Sequence, residues 1–138
     1  QAVTVRVRIA GSHAMLTLKG PTVGISRDEF EYSIPPEDAA QMLARHCGDR
    51  IVSKTRFRVD VAAHVWEVDV FHHRNEGLIV AEVELDDPDD RPPLPDWVGP
   101  ELSGDPRYTN AALASRPWSS WTADERTRVE DGPPSPVC

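Results

Sequence analysis

The chain has 138 residues, long enough for one domain with its own hydrophobic core. Its formal net charge of −8 argues against nucleic acid and anionic membrane surfaces as partners. The charge is uneven: residues 1–58 carry 9 Lys and Arg against 6 Asp and Glu, and residues 59–138 carry 6 against 17. Cys47 and Cys138 show neither zinc spacing nor a disulfide framework, so a reducing, cytoplasmic setting is expected. No apolar run approaches the roughly 18 residues of a membrane span, and no signal-peptide pattern follows Gln1.

In chain order, six segments alternate apolar and polar residues with a period of two, the strand signature. They are 3–9, 14–19, 28–34, 51–59, 64–71 and 78–85. Gly11-Ser12 joins the first two and Asn75-Glu76-Gly77 joins the last two as hairpin turns, which implies antiparallel pairing. Between the third and fourth, residues 36–47 read as a helix. Pro36 suits the first turn, Glu37 and Asp38 suit the positive end of the helix dipole, and Gly48 suits its end. Ala39, Met42, Leu43 and His46 share its expected apolar face. Residues 86–96 form an acidic, proline-rich connector, and a short helix is expected near 106–114. Residues 1–114 read as the domain. In the tail, 115–138, Trp118 and Trp121 are expected to pack and the GPPSPVC end to be disordered.

The polar faces of the strands carry the chemistry. They bear Arg6 and Arg8, then Lys19, then Glu29 and Glu31, then Lys54, Arg56 and Arg58, then Glu67 and Asp69, then Glu82 and Glu84. Each strand thus carries one sign. Residues two apart on a strand sit about 7 Å apart, and two carboxylates at that spacing repel by roughly 2 kcal/mol at an effective dielectric of ~20. A polyanion with bound cations needs such segregation: cations relieve the carboxylates, and the basic strands hold anionic oxygens. The competing reading is a solvated sheet face, with Glu67 and Asp69 in cross-strand salt bridges. If the charged faces line a lumen, the apolar faces must be covered by the 36–47 helix and the 97–121 region, with Trp97, Trp118 and Trp121. His13, His46, His64 and the His72-His73 pair sit at turns or element ends and are assigned no chemistry. Trp66 shares a face with Val68 and Val70 and reads as packing.

The stretches VRVRIAG (5–11), LTLKGP (16–21), SRDEFEYSIP (26–35), VSKTRFRV (52–59), WEVDVF (66–71), GLIVAEVEL (77–85) and LPDWVG…DPRYTNAALA (94–114) together resemble the CYTH domain, or triphosphate tunnel metalloenzyme, family. The resemblance is closest to simple bacterial members similar to inorganic tripolyphosphatases. It implies a mainly antiparallel α+β fold: a closed or partly open tunnel of about eight strands with a charged interior and flanking helices. It implies a triphosphate-containing small molecule as substrate and Mg²⁺ or Mn²⁺ as cofactor. Position by position, it implies substrate contacts from Arg6, Arg8, Lys19, Lys54, Arg56 and Arg58, with Lys54 and Arg56 at the reacting phosphate. It associates metal with Glu82, Glu84, Asp69, Glu31, Glu29 and Glu67. The family's first strand, ExExK, has no counterpart in this chain. Two expectations therefore stand: a triphosphatase completed by sequence outside this chain, or a non-catalytic polyphosphate- or nucleotide-binding module or inactive remnant of the enzyme. Class IV adenylate cyclase and thiamine triphosphatase are weaker alternatives within the family. A missing strand would leave a sheet edge exposed, which invites pairing with a second copy.

Overall fold

The computed structural model describes residues 3–21, 23–24 and 26–128. The chain divides into two compact units, residues 1–51 and 52–138.

In the first unit, β1 (Thr4–Ala10), β2 (His13–Lys19) and β3 (Glu29–Ile34) form an antiparallel sheet with β2 in the middle. Gly11 takes φ 59° between β1 and β2, a conformation that costs glycine nothing and so keeps the connection to two residues. The register sets Arg6 opposite Thr17 and Thr17 opposite Glu31, so these three cross one face in a row. Helix α1 (Pro36–His46) starts at a proline, carries Glu37 and Asp38 in its first turn, and is followed by Gly48 at φ 55°. It packs on β1 and β2, where Ala39 and Ala14 are buried. His46, expected on the apolar face, is exposed. On β3, Phe30 and Tyr32 stay more than half exposed, so α1 covers only part of the apolar face.

In the second unit, β4 (Lys54–Val61), β5 (His64–Phe71) and β6 (Ile79–Val83) form another antiparallel sheet with β5 in the middle. The β4–β5 turn is Ala62-Ala63 with φ 46° and 64°. Two successive positive φ angles are the mark of the tight hairpin turn whose twist matches that of the strands. Alanine gives no sequence signal for it. After β5, a 3-10 turn at 73–75 and Gly77 at φ 92° reverse the chain, and Phe71 N–H donates to the Leu78 carbonyl at 3.1 Å.

Past β6, residues 86–105 hold prolines at 88, 92, 93, 95 and 100 and form no strand. Among the described residues six strands form, in two three-stranded sheets rather than the expected tunnel of about eight, and the prolines of 86–105 lack the N–H that a further ladder would need there. The helix expected over 106–114 is instead a 3-10 turn at 106–108 followed by α2 (Asn110–Ser115). Thr109 separates them, and its hydroxyl caps α2 by accepting from Ala112 N–H. Helix α3 (Ala123–Thr127) opens with a reciprocal capping box between Thr122 and Glu125.

The core of this unit is Phe71, Leu78, Leu113 and Trp121, with Val52, Val80, Tyr108 and Trp118 packed around it. Phe71 has the strand parity of Asp69 and Glu67. The C-terminal aromatics therefore close one end of the charged face, whereas the apolar face was their expected place. Of the three tryptophans expected to cover the apolar face, Trp97 alone does so, lying edge-on against buried Trp66 at 5.8 Å. Among the described residues no helix is long and apolar enough to cross a membrane. The GPPSPVC end lies outside the described residues.

Candidate functional site

The charged face of the second sheet is organised by Asp69. It lies on the middle strand, 3% exposed, directly opposite Arg56 and diagonal to Lys54. Arg56 donates through Nε to Oδ1 at 2.7 Å and through Nη2 to Oδ2 at 2.8 Å, and Lys54 Nζ donates to Oδ2 at 2.5 Å. Two cations are thus fixed on one buried carboxylate, the bidentate half by the planar guanidinium fork. Burial alone would raise the Asp69 carboxyl, but the hydrogen bonds and charges of Arg56 and Lys54 outweigh it and hold it below the usual range. The Asp69 bond in turn raises Arg56 despite partial burial, helped by the charges of Asp69, Glu67 and Glu82. Lys54 Nζ also lies 5.6 Å over the Phe71 ring, which ties this pair to the hydrophobic core.

One row along, Arg58 faces Glu67, and Glu67 faces Glu82 on β6. Glu67 takes Arg56 Nη1 at 2.6 Å. Glu82 is exposed and is in no ion pair within 4.0 Å among the described residues; the same is true of Glu84, just past the end of β6. Like charges directly opposite on adjacent strands destabilise a sheet, so the Glu67–Glu82 pair is a place where a cation would be welcome.

On the first sheet, Arg6, Arg8 and Lys19 share a face with Glu29 and Glu31. Lys19 pairs loosely with Glu29 at 3.9 Å. Thr17, 1% exposed, donates its hydroxyl to Glu31 Oε1 at 3.2 Å. Arg6 Nε is buried without a hydrogen-bond partner.

The residues expected to bind substrate and metal therefore fall into two sets, Arg6, Arg8, Lys19, Glu29 and Glu31 on one sheet, and Lys54, Arg56, Arg58, Glu67, Asp69, Glu82 and Glu84 on the other. Within the second set the structure brings Lys54, Arg56, Glu67 and Asp69 into direct contact. Among the described residues, no three His, Cys, Asp or Glu side chains converge as a metal cage. Asp69 and Glu67 are engaged as the competing reading had it, in cross-strand salt bridges: Asp69 with Arg56 opposite and Lys54 diagonal to it, and Glu67 with Arg56. Thr17 and Phe71 were not singled out from the sequence. Their strand parity with Lys19 and Asp69 is the signal that could have marked them. His64 bonds Asp90 at 2.7 Å and the Ala62 carbonyl at 3.0 Å, and His72 bonds Thr55 at 2.7 Å. Neither joins the charged faces.

Comparison with known proteins supplies the context for this geometry. Residues 1–110 match the CYTH domain family. The chain is 42% identical over 118 residues to an inorganic triphosphatase of Acetivibrio thermocellus, covering 86% of this chain and 76% of that protein. It is 35% identical over 118 residues to an inorganic triphosphatase of Nitrosomonas europaea, covering 82% and 76%. The fold is similar to a crystal structure of an inorganic triphosphatase, with TM-score 0.67, 32% identity, and coverage of 83% of this chain and 76% of that one.

Proposed function

The chain belongs to the CYTH domain family, and on that premise we propose that it hydrolyses a triphosphate, inorganic tripolyphosphate before nucleoside triphosphates, with Mg²⁺ or Mn²⁺ in the cytoplasm. The observation that carries this reading is the pair of cations, Lys54 and Arg56, fixed on buried Asp69 at 2.5–2.8 Å. Their geometry is set before any ligand arrives. Positive charge held in place costs no reorganisation when negative charge builds on equatorial phosphate oxygens, the main demand of phosphoryl transfer. The names of the relatives at 42% and 35% identity support the same substrate class.

In this reading Lys54 and Arg56 hold the reacting phosphate, and Arg58, Arg6, Arg8 and Lys19 contact phosphate oxygens on the face that each occupies. Glu82 and Glu84 hold the divalent cation, with Glu67 opposite Glu82. Asp69 and Glu29 serve chiefly to orient basic side chains, and Glu31 is held by the Thr17 hydroxyl. The donor set fits a hard cation, since it is all oxygen. Mg²⁺ usually binds through one or two carboxylates plus substrate phosphates, so two glutamates are enough donors from the protein. When bound, such a cation neutralises phosphate oxygens and lowers the pKa of a coordinated water.

The engagement of Asp69 by two cations also favours a second reading, in which the chain binds polyphosphate without hydrolysing it. Phosphate release from tripolyphosphate, ATP and thiamine triphosphate, with and without Mg²⁺ or Mn²⁺, separates the two. Metal-dependent release fastest from tripolyphosphate supports the first reading; micromolar tripolyphosphate binding without release supports the second.

A further inference from the structure

The two charged faces differ in one respect. In the second sheet the middle strand carries carboxylates, and Lys54 and Arg56 are both bonded to them. In the first sheet the middle strand presents His13, Met15, Thr17 and Lys19 on the corresponding face, with no carboxylate among them. Thr17 stands between Arg6 on β1 and Glu31 on β3 and is almost fully buried. A hydroxyl has a single proton to donate. Here that proton goes to Glu31 Oε1 at 3.2 Å.

Arg6 Nε, meanwhile, is buried with no hydrogen-bond partner. Buried polar groups are nearly always paired, and an unpaired buried guanidinium N–H requires a reason. Strands lie about 4.8 Å apart, so Arg6 and Glu31 start from backbones about 10 Å apart, a gap that the two long side chains could close over the small threonine. Among the described residues they form no ion pair within 4.0 Å.

We infer that Thr17 is a positioning residue that holds Glu31 against the middle strand and so keeps Arg6 un-neutralised for an anionic phosphate oxygen. The inference rests on the triphosphatase reading for the identity of the anion. It does not rest on it for the contact itself. If Glu31 were released it would turn to the nearest unsatisfied cation, and the phosphate would then compete with a carboxylate. The cost would fall on substrate binding rather than on the chemical step.

The test is a series on the full chain: Thr17→Ser, Thr17→Val, Glu31→Gln, and Thr17→Val with Glu31→Gln. Tripolyphosphate hydrolysis with Mg²⁺ and the ¹H–¹⁵N signal of Arg6 Nε are the two readouts. Thr17→Ser keeps the hydroxyl and should behave as wild type. Thr17→Val should raise KM about tenfold, the size of one lost charge-assisted hydrogen bond, with kcat little changed, and should shift the Arg6 Nε signal. Adding Glu31→Gln should undo most of the KM increase relative to Glu31→Gln alone and return the signal, because an amide cannot neutralise Arg6. A double variant as impaired as Thr17→Val, or Thr17→Ser as impaired as Thr17→Val, overturns the inference. If the wild-type chain neither binds nor hydrolyses tripolyphosphate, the triphosphatase reading falls, and the Arg6 signal still decides the role of Thr17.

Discussion

Lys54 and Arg56 share one buried carboxylate: Asp69 accepts from Lys54 at 2.5 Å and from Arg56 at 2.7 and 2.8 Å. The two cations are two residues apart on β4 and would repel one another without it. Asp69 therefore fixes their geometry and offsets their repulsion, and each consequence can be measured.

Asp69→Asn keeps the shape and removes the charge. Because Lys54 and Arg56 are partly solvated, the loss is below that of a fully buried pair, about 2 kcal/mol of folding stability by urea denaturation. The pH dependence has a definite sign. The Asp69 carboxyl is held below its ordinary 3.8, so its contribution is present above that value and is lost as pH falls through the lower folded value. Wild type should lose stability more steeply than Asp69→Asn below about pH 4. Equal slopes would show that the ion pairs add nothing.

His64 offers a second, separate titration. Its two ring nitrogens face two acceptors, Asp90 Oδ2 at 2.7 Å and the Ala62 carbonyl at 3.0 Å, and only an imidazolium can donate to both. The Asp90 bond raises the His64 pKa above its ordinary 6.5. A raised value means that the contact's contribution is present below 6.5 and is lost as pH rises through the folded value. The His64 signal followed by NMR should titrate above 6.5 in wild type and fall back toward it in Asp90→Asn. An unchanged midpoint would show that the contact is absent in solution.

The Ala62-Ala63 turn holds two Cβ atoms in the left-handed region, at roughly 1–2 kcal/mol each. Replacing the pair by Asn-Gly supplies the residues that this turn prefers. Thermal or urea unfolding should show a gain of about 1–2 kcal/mol, and a loss would mean that the turn has another geometry.

The strands were legible because their faces alternate strictly. Val5 and Val7 against Arg6 and Arg8, or Val68 and Val70 against Glu67 and Asp69, leave little choice of period. α1 was equally plain, since Pro36, Glu37, Asp38 and Gly48 mark both ends by backbone chemistry. Partnership was not legible. Whether Asp69 meets a metal or two cations depends on which residue the neighbouring strand sets opposite it, and register is fixed by turns. One of those turns, Ala62-Ala63, carries no turn residue at all. The positions of Trp118 and Trp121 escaped for a related reason. An aromatic residue announces that it will be buried but not against which face, and here Asn75 decides it by accepting from Trp118 N–H at 2.8 Å. Thr17 was passed over because a neutral hydroxyl on a charged strand face looks like filler until its partner is known.

In the proposed function, the charged face of β4, β5 and β6 carries metal-dependent triphosphate hydrolysis. Glu82 and Glu84 are the residues to change, because both are solvent-exposed and, among the described residues, in no ion pair within 4.0 Å, so their loss leaves the sheet standing. The most direct measurement is Mg²⁺-dependent phosphate release from tripolyphosphate by wild type and by Glu82→Gln with Glu84→Gln. Release by wild type, with a loss of at least about a hundredfold in the double variant and tripolyphosphate binding retained, is the expected result. Undiminished metal-dependent release by the double variant would contradict it.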